Sequence, residues 1–87
     1  MINMKRLFGV TTEKNFKLEY YIADDGKVFG IEVIKKYTED GIEYSEKGSF
    51  SGISDDENTV TEIVEMLIRN TVTPLGLAYV MEDMMCR

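Results

Sequence analysis

The chain has 87 residues, a length typical of one domain, and it is acidic, with 16 Asp and Glu against 10 Lys and Arg. It contains no His and one Cys, which excludes His-dependent nucleophilic catalysis, an internal disulfide and a cysteine zinc cluster. The acidic balance argues against nucleic-acid binding, which normally needs a basic surface. We therefore expect no enzyme, no catalytic, metal or cofactor-binding residues, and no cofactor.

The hydropathy pattern gives no sign of a membrane segment or a leader. No apolar run approaches the roughly 18 residues of a spanning helix. The basic start is followed by the apolar run 7–10 alone, which is shorter than the roughly 7–15 residues of a signal-peptide core. We expect a cytoplasmic protein without a membrane partner, a setting in which a single Cys stays reduced.

The first half of the chain alternates with the period of β-strands. A strand is predicted at about 3–10, but adjacent Leu7 and Phe8 leave its inward face undecided. A second strand is predicted at about 16–23, and its apolar side chains share a single face. This set consists of Phe16, Leu18, Tyr20 and Ile22.

Asp25-Gly26 is typical of a two-residue hairpin loop and predicts a third strand at about 27–37. The inward pairs predicted from that loop are Ile22 with Phe29, Tyr20 with Ile31, and Leu18 with Val33. On the outer face the same register places Tyr21 opposite Gly30 and Glu19 opposite Glu32, a like-charge pair.

Asp40-Gly41 repeats the hairpin signal and predicts a fourth strand at about 42–51. Its polar composition favours an edge position. The predicted pairs are Tyr37 with Tyr44, Lys35 with Glu46, and Ile31 with Phe50.

The second half has the period of amphipathic helices. A helix at about 55–70 is predicted from the capping-box spacing of Ser54 and Glu57 and from one apolar stripe. A second helix at about 74–86 follows Thr73-Pro74, because Thr is a good N-cap and Pro suits the first helical position. We expect Met81, Met84 and Met85 to fill core gaps and Cys86 to be incidental.

Together these elements predict one α+β domain over residues 1–87. It is an antiparallel meander of three or four strands, followed by two C-terminal helices packed on one face. The predicted core on the sheet consists of Phe16, Leu18, Tyr20, Ile22, Phe29, Ile31, Val33 and Phe50.

Several segments resemble a small bacterial, Firmicute-type family known only as a domain of unknown function. They are the strand segments 18–22 and 29–33, the link Asn70-Thr71-Val72-Thr73-Pro74 and the acidic-apolar segment 80–83. The resemblance spans roughly residues 16–85, and the link is its most specific part. It implies the same fold and a cytoplasmic bacterial setting, and it transfers no catalytic or binding residues.

Three acidic clusters have structural interpretations. We expect Asp24-Asp25 to form a turn, the cluster 55–57 to cap a helix, and Glu82-Asp83 to lie on a solvated helix face. The alternative is that these carboxylates ligate Mg²⁺ or Ca²⁺ or act as an acid–base pair. No glycine has the spacing that an EF-hand loop requires.

Two sets of side chains are candidates for interaction surfaces. Leu75 and Tyr79 lie beside Glu82 on the polar side of the second helix, and Met66 lies off the apolar stripe of the first. The second set lies on the open sheet face, either as a solvated face with edge-guarding lysines or as a site for an anionic partner. It comprises Lys17, Tyr21, Ile34, Lys36 and Lys47.

The leading hypothesis is a non-enzymatic protein-interaction or regulatory module that self-associates, with a protein partner or a second copy of the chain as its ligand. The alternative is a small-molecule or metal-ion binding domain that uses carboxylates and tyrosines. That alternative predicts a concave pocket in which at least two side chains from a set of four come together. The set is Tyr20, Tyr37, Tyr44 and Glu46.

Overall fold

The computed structural model describes residues 4–85. Asn3 and Cys86, at the predicted ends of the first strand and the second helix, lie outside this range, as does the side chain of Met85. The elements are β1 (Met4–Thr12), β2 (Phe16–Asp24), β3 (Phe29–Glu39), β4 (Ile42–Ser54), α1 (Glu57–Arg69) and α2 (Pro74–Met85). The strands form one antiparallel sheet in the order β1-β2-β3-β4. The predicted α+β meander with two C-terminal helices is confirmed.

The β3–β4 hairpin has the predicted register. Its two loop residues, Asp40 and Gly41, have φ angles of 55° and 78°, as the hairpin turn requires. The predicted pairs Tyr37–Tyr44, Lys35–Glu46 and Ile31–Phe50 are present.

The β2–β3 hairpin has a longer loop than predicted. Asp24 pairs with Phe29, so four residues, 25–28, form the connection. The Asp24 carboxylate accepts a hydrogen bond from the N–H of Gly26 at 2.8 Å. The Asp25 carboxylate accepts from Lys27 and Val28, both at 2.9 Å. These bonds confirm the turn interpretation of the two acids, but they stabilise a loop that is too wide for the predicted register.

The predicted β2–β3 register is therefore wrong by two residues. A shift of two keeps every side chain on its predicted face, because side chains alternate with period two. The partners change: Tyr20 faces Val33, and Ala23 rather than Tyr21 faces Gly30. Glu19 lies opposite Ile34, so the predicted like-charge pair does not form.

A β-bulge in β1 resolves the orientation of Leu7 and Phe8. Leu7 pairs with Tyr21 and Gly9 with Tyr20, which leaves Phe8 as an extra residue between them. Phe8 packs against the core, whereas Leu7 is exposed on the opposite face.

Both helices cover one face of the sheet, which we call the inner face. All eight predicted sheet residues of the core are buried or packed against it. The buried side chains are Leu18, Tyr20, Ile22, Ile31, Val33, Val60, Ile63, Val64, Leu67, Leu77 and Met81. The phenol of Tyr20 also donates a hydrogen bond of 2.9 Å to the carbonyl of Val72, in the link between the helices. Sheet, α1, link and α2 thus share one core.

The N-terminal cap of α1 differs from the predicted capping box. Asp56 is the N-cap, and its side chain accepts a hydrogen bond of 3.1 Å from the N–H of Asn58. Ser54 instead accepts from the N–H of Asp56. At α2 the prediction is confirmed, because Thr73 Oγ1 accepts from the N–H of Gly76 at 3.3 Å.

Gly48 allows α2 to approach β4 closely. A Cβ atom at this position would lie 2.5 Å from the carbonyl oxygen of Pro74 and 3.0 Å from its Cα atom. Both are backbone atoms, which cannot move aside as a flexible side chain can. The start of α2 is therefore seated where the strand has no side chain.

We expect Gly48→Ala to lower the free energy of unfolding by about 1–3 kcal/mol, since the new methyl group forces α2 away from β4. Urea denaturation monitored by circular dichroism measures this change. The matched control is Gly76→Ala, whose Cβ would meet its nearest neighbour at an ordinary 3.5 Å. Better helix propensity should make that variant neutral or more stable by up to about 1 kcal/mol. Equal stability of the two variants would contradict this account of the contact.

Candidate interaction surfaces

One face of α2 presents apolar side chains to solvent. Leu75 is 79% exposed and Tyr79, one turn later, is 74% exposed. Ala78 and Glu82 are also exposed, and this spacing places all four residues on one stripe of the helix. We call this stripe the α2 patch. The opposite side of the helix is buried through Leu77 and Met81.

α1 provides the contrast, because its exposed positions are polar. Its exposed residues are Asn58, Thr59, Glu62, Glu65 and Arg69. A helix with apolar residues on all sides is typical of a buried helix, yet half of α2 faces solvent. The exposed half of α2 therefore carries apolar side chains that no other part of residues 4–85 covers.

The methionines are placed differently from one another. Met66 is half-buried and packs against the core. The structure does not bring it to the α2 patch. Met81 lies in the core as expected, but Met84 is exposed and is not the core residue that its spacing predicts.

The outer face of the sheet carries a buried carboxylate shared by two lysines. Glu19 is only 8% exposed, and its Oε2 atom lies 3.4 Å from the Nζ atoms of both Lys17 and Lys36. These lysines are direct partners across β2 and β3. Their like charges would repel without the carboxylate between them.

Glu32 is shared in the same way. Its Oε2 atom lies 2.5 Å from Nζ of Lys5, and its Oε1 atom lies 4.0 Å from Nζ of Lys47. Tyr21 connects the two networks: its phenol donates a 2.8 Å hydrogen bond to Glu19, and Nζ of Lys5 lies 5.0 Å from its ring centroid. Each carboxylate thus has two ammonium neighbours, so this lysine network of four lysines and two carboxylates carries a net positive charge.

The ionisation of this network follows from its contacts. Burial alone would raise the pKa of the Glu19 carboxyl, but hydrogen bonds from Tyr21, Lys36 and Lys17 outweigh it and lower the pKa. The hydrogen bond to Glu32 raises the pKa of Lys5. The hydrogen bond to Glu19 raises the pKa of Tyr21. The three pKa shifts favour an ionised Glu19 carboxylate, a charged Lys5 ammonium group and a neutral Tyr21 phenol.

Apolar side chains adjoin the lysines on the outer face. Ile34 is half-buried, with Glu19 and Lys47 as its cross-strand partners. Leu7 and Val10, on the same face of β1, are exposed. Leu7 and Val10 were not predicted from the sequence as part of this surface, although Gly9 inside an apolar strand is a bulge signal that could have indicated them.

Tyr37, Tyr44 and Glu46 of the predicted tyrosine pocket lie together, but none of them lines the concavity described below. The Tyr20 side chain is buried in the core, while the rings of Tyr37 and Tyr44 stack 5.4 Å apart on exposed strand segments. The Tyr37 phenol donates a 3.4 Å hydrogen bond to Glu46. A concavity of about 450 Å³ lies elsewhere, on the outer face beside Ala23 and Gly30. Its polar lining includes Lys5, Asp24, Asp25, Glu32, Ser49 and Ser51.

Residues 4–85 also lack two further features. No group of three or more Cys, Asp or Glu residues there could hold a metal ion. Neither described helix has the length and apolar character needed to cross a membrane.

We expect Glu19→Gln to lower the free energy of unfolding at pH 7 by about 1–3 kcal/mol, since it removes a buried charged acceptor from between two lysines. The pKa of the native carboxyl is lowered from 4.5, so the stabilisation is complete above that pH and is lost as the pH falls through the native value. The difference from wild type should therefore shrink on acidification.

Urea denaturation at several pH values between neutrality and strong acid measures this effect. Glu65→Gln, on the exposed side of α1, is the control and should show little change at any pH. A Glu19→Gln deficit that stays constant down to strong acid would contradict the assigned role of the charge.

Comparison with known proteins places the chain at the level of a family. No curated protein and no solved structure matches it. A family model described as a family of unknown function (DUF6514) matches residues 1–87. The resemblance to an uncharacterised family is confirmed at that level. The chain belongs to DUF6514, a family of unknown function.

Proposed function

We propose that this protein is a non-enzymatic interaction module that self-associates through the α2 patch. The main supporting observation is that Leu75 is 79% exposed and Tyr79 is 74% exposed, on one stripe of a helix whose other side packs in the core. Large exposed apolar side chains that adjoin one another are typical of interaction sites. Tyrosine is also among the residues enriched at the centres of interfaces.

The packing of α2 supports a rigid surface. Its N-terminus is fixed by the close contact of Pro74 with Gly48 and by the Thr73 cap. Leu77 and Met81 anchor its inner side. A preorganised surface loses little conformational entropy on binding, so the α2 patch is suited to association without a folding step.

The chemistry of the sequence is consistent with a non-enzymatic role. The chain has no His and one Cys, so the usual nucleophile–base pairs are missing from its composition. The acidic clusters at Asp24-Asp25 and Asp56 have structural partners in a turn and a helix cap. A partner protein or second copy of the chain is the proposed ligand, in a cytoplasmic setting.

We expect the double variant Leu75→Asp/Tyr79→Asp to weaken self-association by at least about 30-fold, since interface centres commonly contribute about 2 kcal/mol or more per residue. Sedimentation velocity over a range of micromolar concentrations measures the association. Circular dichroism and thermal melting check that the variant keeps its fold.

The matched control is Ile42→Asp, which places the same acid at an exposed apolar residue beside the β3–β4 turn. It should associate like the wild type. A wild-type protein that stays monomeric throughout this concentration range would overturn the proposal.

The concavity on the outer face favours the alternative function, small-molecule binding. Its volume of about 450 Å³ falls in the range of ligand sites. Three carboxylates and one lysine line it, but no tyrosine does. A thermal-shift screen of metabolites and metal ions should raise the melting temperature if this function is correct. Shifts that persist in Ala23→Leu, which fills the concavity, would place binding elsewhere.

A further inference from the structure

We propose that the α2 patch of one copy docks on the outer sheet face of a second copy. This inference rests on the proposed self-association and names the surface that receives the helix. It makes the contact heterologous, between two different surfaces of the same chain, rather than a symmetric pairing of two α2 helices.

Charge complementarity supports this pairing. The α2 patch is apolar with an acidic end at Glu82. On the outer face, the lysine network has four lysines around two carboxylates, so it is locally basic although the chain as a whole has a charge of −6. An ammonium group has three N–H donors, and the lysine side chains here are all 42% or more exposed. They can therefore donate hydrogen bonds to a further carboxylate.

The apolar parts of the two surfaces also match. Leu7 and Val10 are exposed on β1, and Ile34 is half-buried at the centre of the outer face. Leu75 and Tyr79 supply the corresponding apolar groups on α2. A symmetric α2–α2 pair would bury these groups too, but it would leave the lysine network without a partner and bring acidic helix ends from both copies into the same interface.

The dimensions of the two surfaces agree. A helix of 12 residues is about 18 Å long at 1.5 Å per residue. The three steps between four strands span about 14 Å at roughly 4.8 Å per step. One α2 helix is thus long enough to cross the whole sheet.

A single chain cannot make this contact with itself. α2 lies on the inner face of the sheet, with its patch directed away from the core, whereas the lysines lie on the outer face. Each copy therefore has one α2 patch, which we call the donor surface, and one free outer face, which we call the acceptor surface. Repeated contacts of this kind form a closed ring or an open chain, depending on the rotation between neighbours.

A complementation experiment tests the proposal. The donor-blocked variant is Leu75→Asp/Tyr79→Asp, and the acceptor-blocked variant is Val10→Asp/Lys47→Glu, which adds acids where Glu82 is expected to dock. Each variant alone should associate at least about 30-fold more weakly than wild type. An equimolar mixture should form a heterodimer and no larger species, because it retains one intact donor and one intact acceptor. Sedimentation velocity measures all three samples.

The outcomes separate the two proposals. If the acceptor-blocked variant associates like wild type and the mixture gives no heterodimer, the docking inference is overturned while self-association through α2 stands. If wild type itself is monomeric, both fail. Should the acceptor-blocked variant lose its fold by circular dichroism, Lys17→Gln/Lys36→Gln replaces it. Raising the salt from 0.1 M to 1 M, which shortens the screening length from about 10 Å to about 3 Å, should also weaken wild-type association.

Discussion

Every second side chain of a β-strand points to the same face of its sheet. In this domain, one face of the sheet therefore supplies most of the side chains that the strands contribute to the core. Leu18, Tyr20 and Val33 fill that face, and two helices cover it. Because the chain is small, its hydrophobic core is also small. The contact of Tyr20 with the Val72 carbonyl joins the sheet to the link between the helices, so the position of both helices depends on burial of this one face.

The other face of the sheet has to be stable in contact with water, and it is held by electrostatics instead of a second layer. Glu19 and Glu32 each lie between two lysines, and Tyr21 connects them. Such an arrangement stabilises ionised groups that are partly removed from solvent. α2 differs from the outer face, because its inner side packs in the core while its outer side exposes apolar groups to water. These two surfaces, unlike in charge, lie on opposite sides of one molecule.

Local chemistry determined what the sequence could predict. Asp40-Gly41 gave a correct register because its turn requires positive φ at both positions. Asp25-Gly26 did not, since two aspartate side chains bind backbone N–H groups and widen the loop. Helical spacing correctly placed Leu75 and Tyr79 outside the core, whereas the burial of Glu19 depends on Lys36 from a neighbouring strand. A contact between strands cannot be read from local periodicity, and the same holds for the packing of half-buried Met66 against the core.

The bulge at Phe8 affects more than the orientation of one ring. β1 is an edge strand, and its exposed Leu7 and Val10 are side chains that favour the addition of another strand. The extra residue interrupts the regular spacing of the backbone donors and acceptors along that free edge. A foreign strand would meet a kinked template on which a long uninterrupted ladder cannot form. The extra residue thus makes the free edge of β1 a poor template for the strand addition from which fibrils grow.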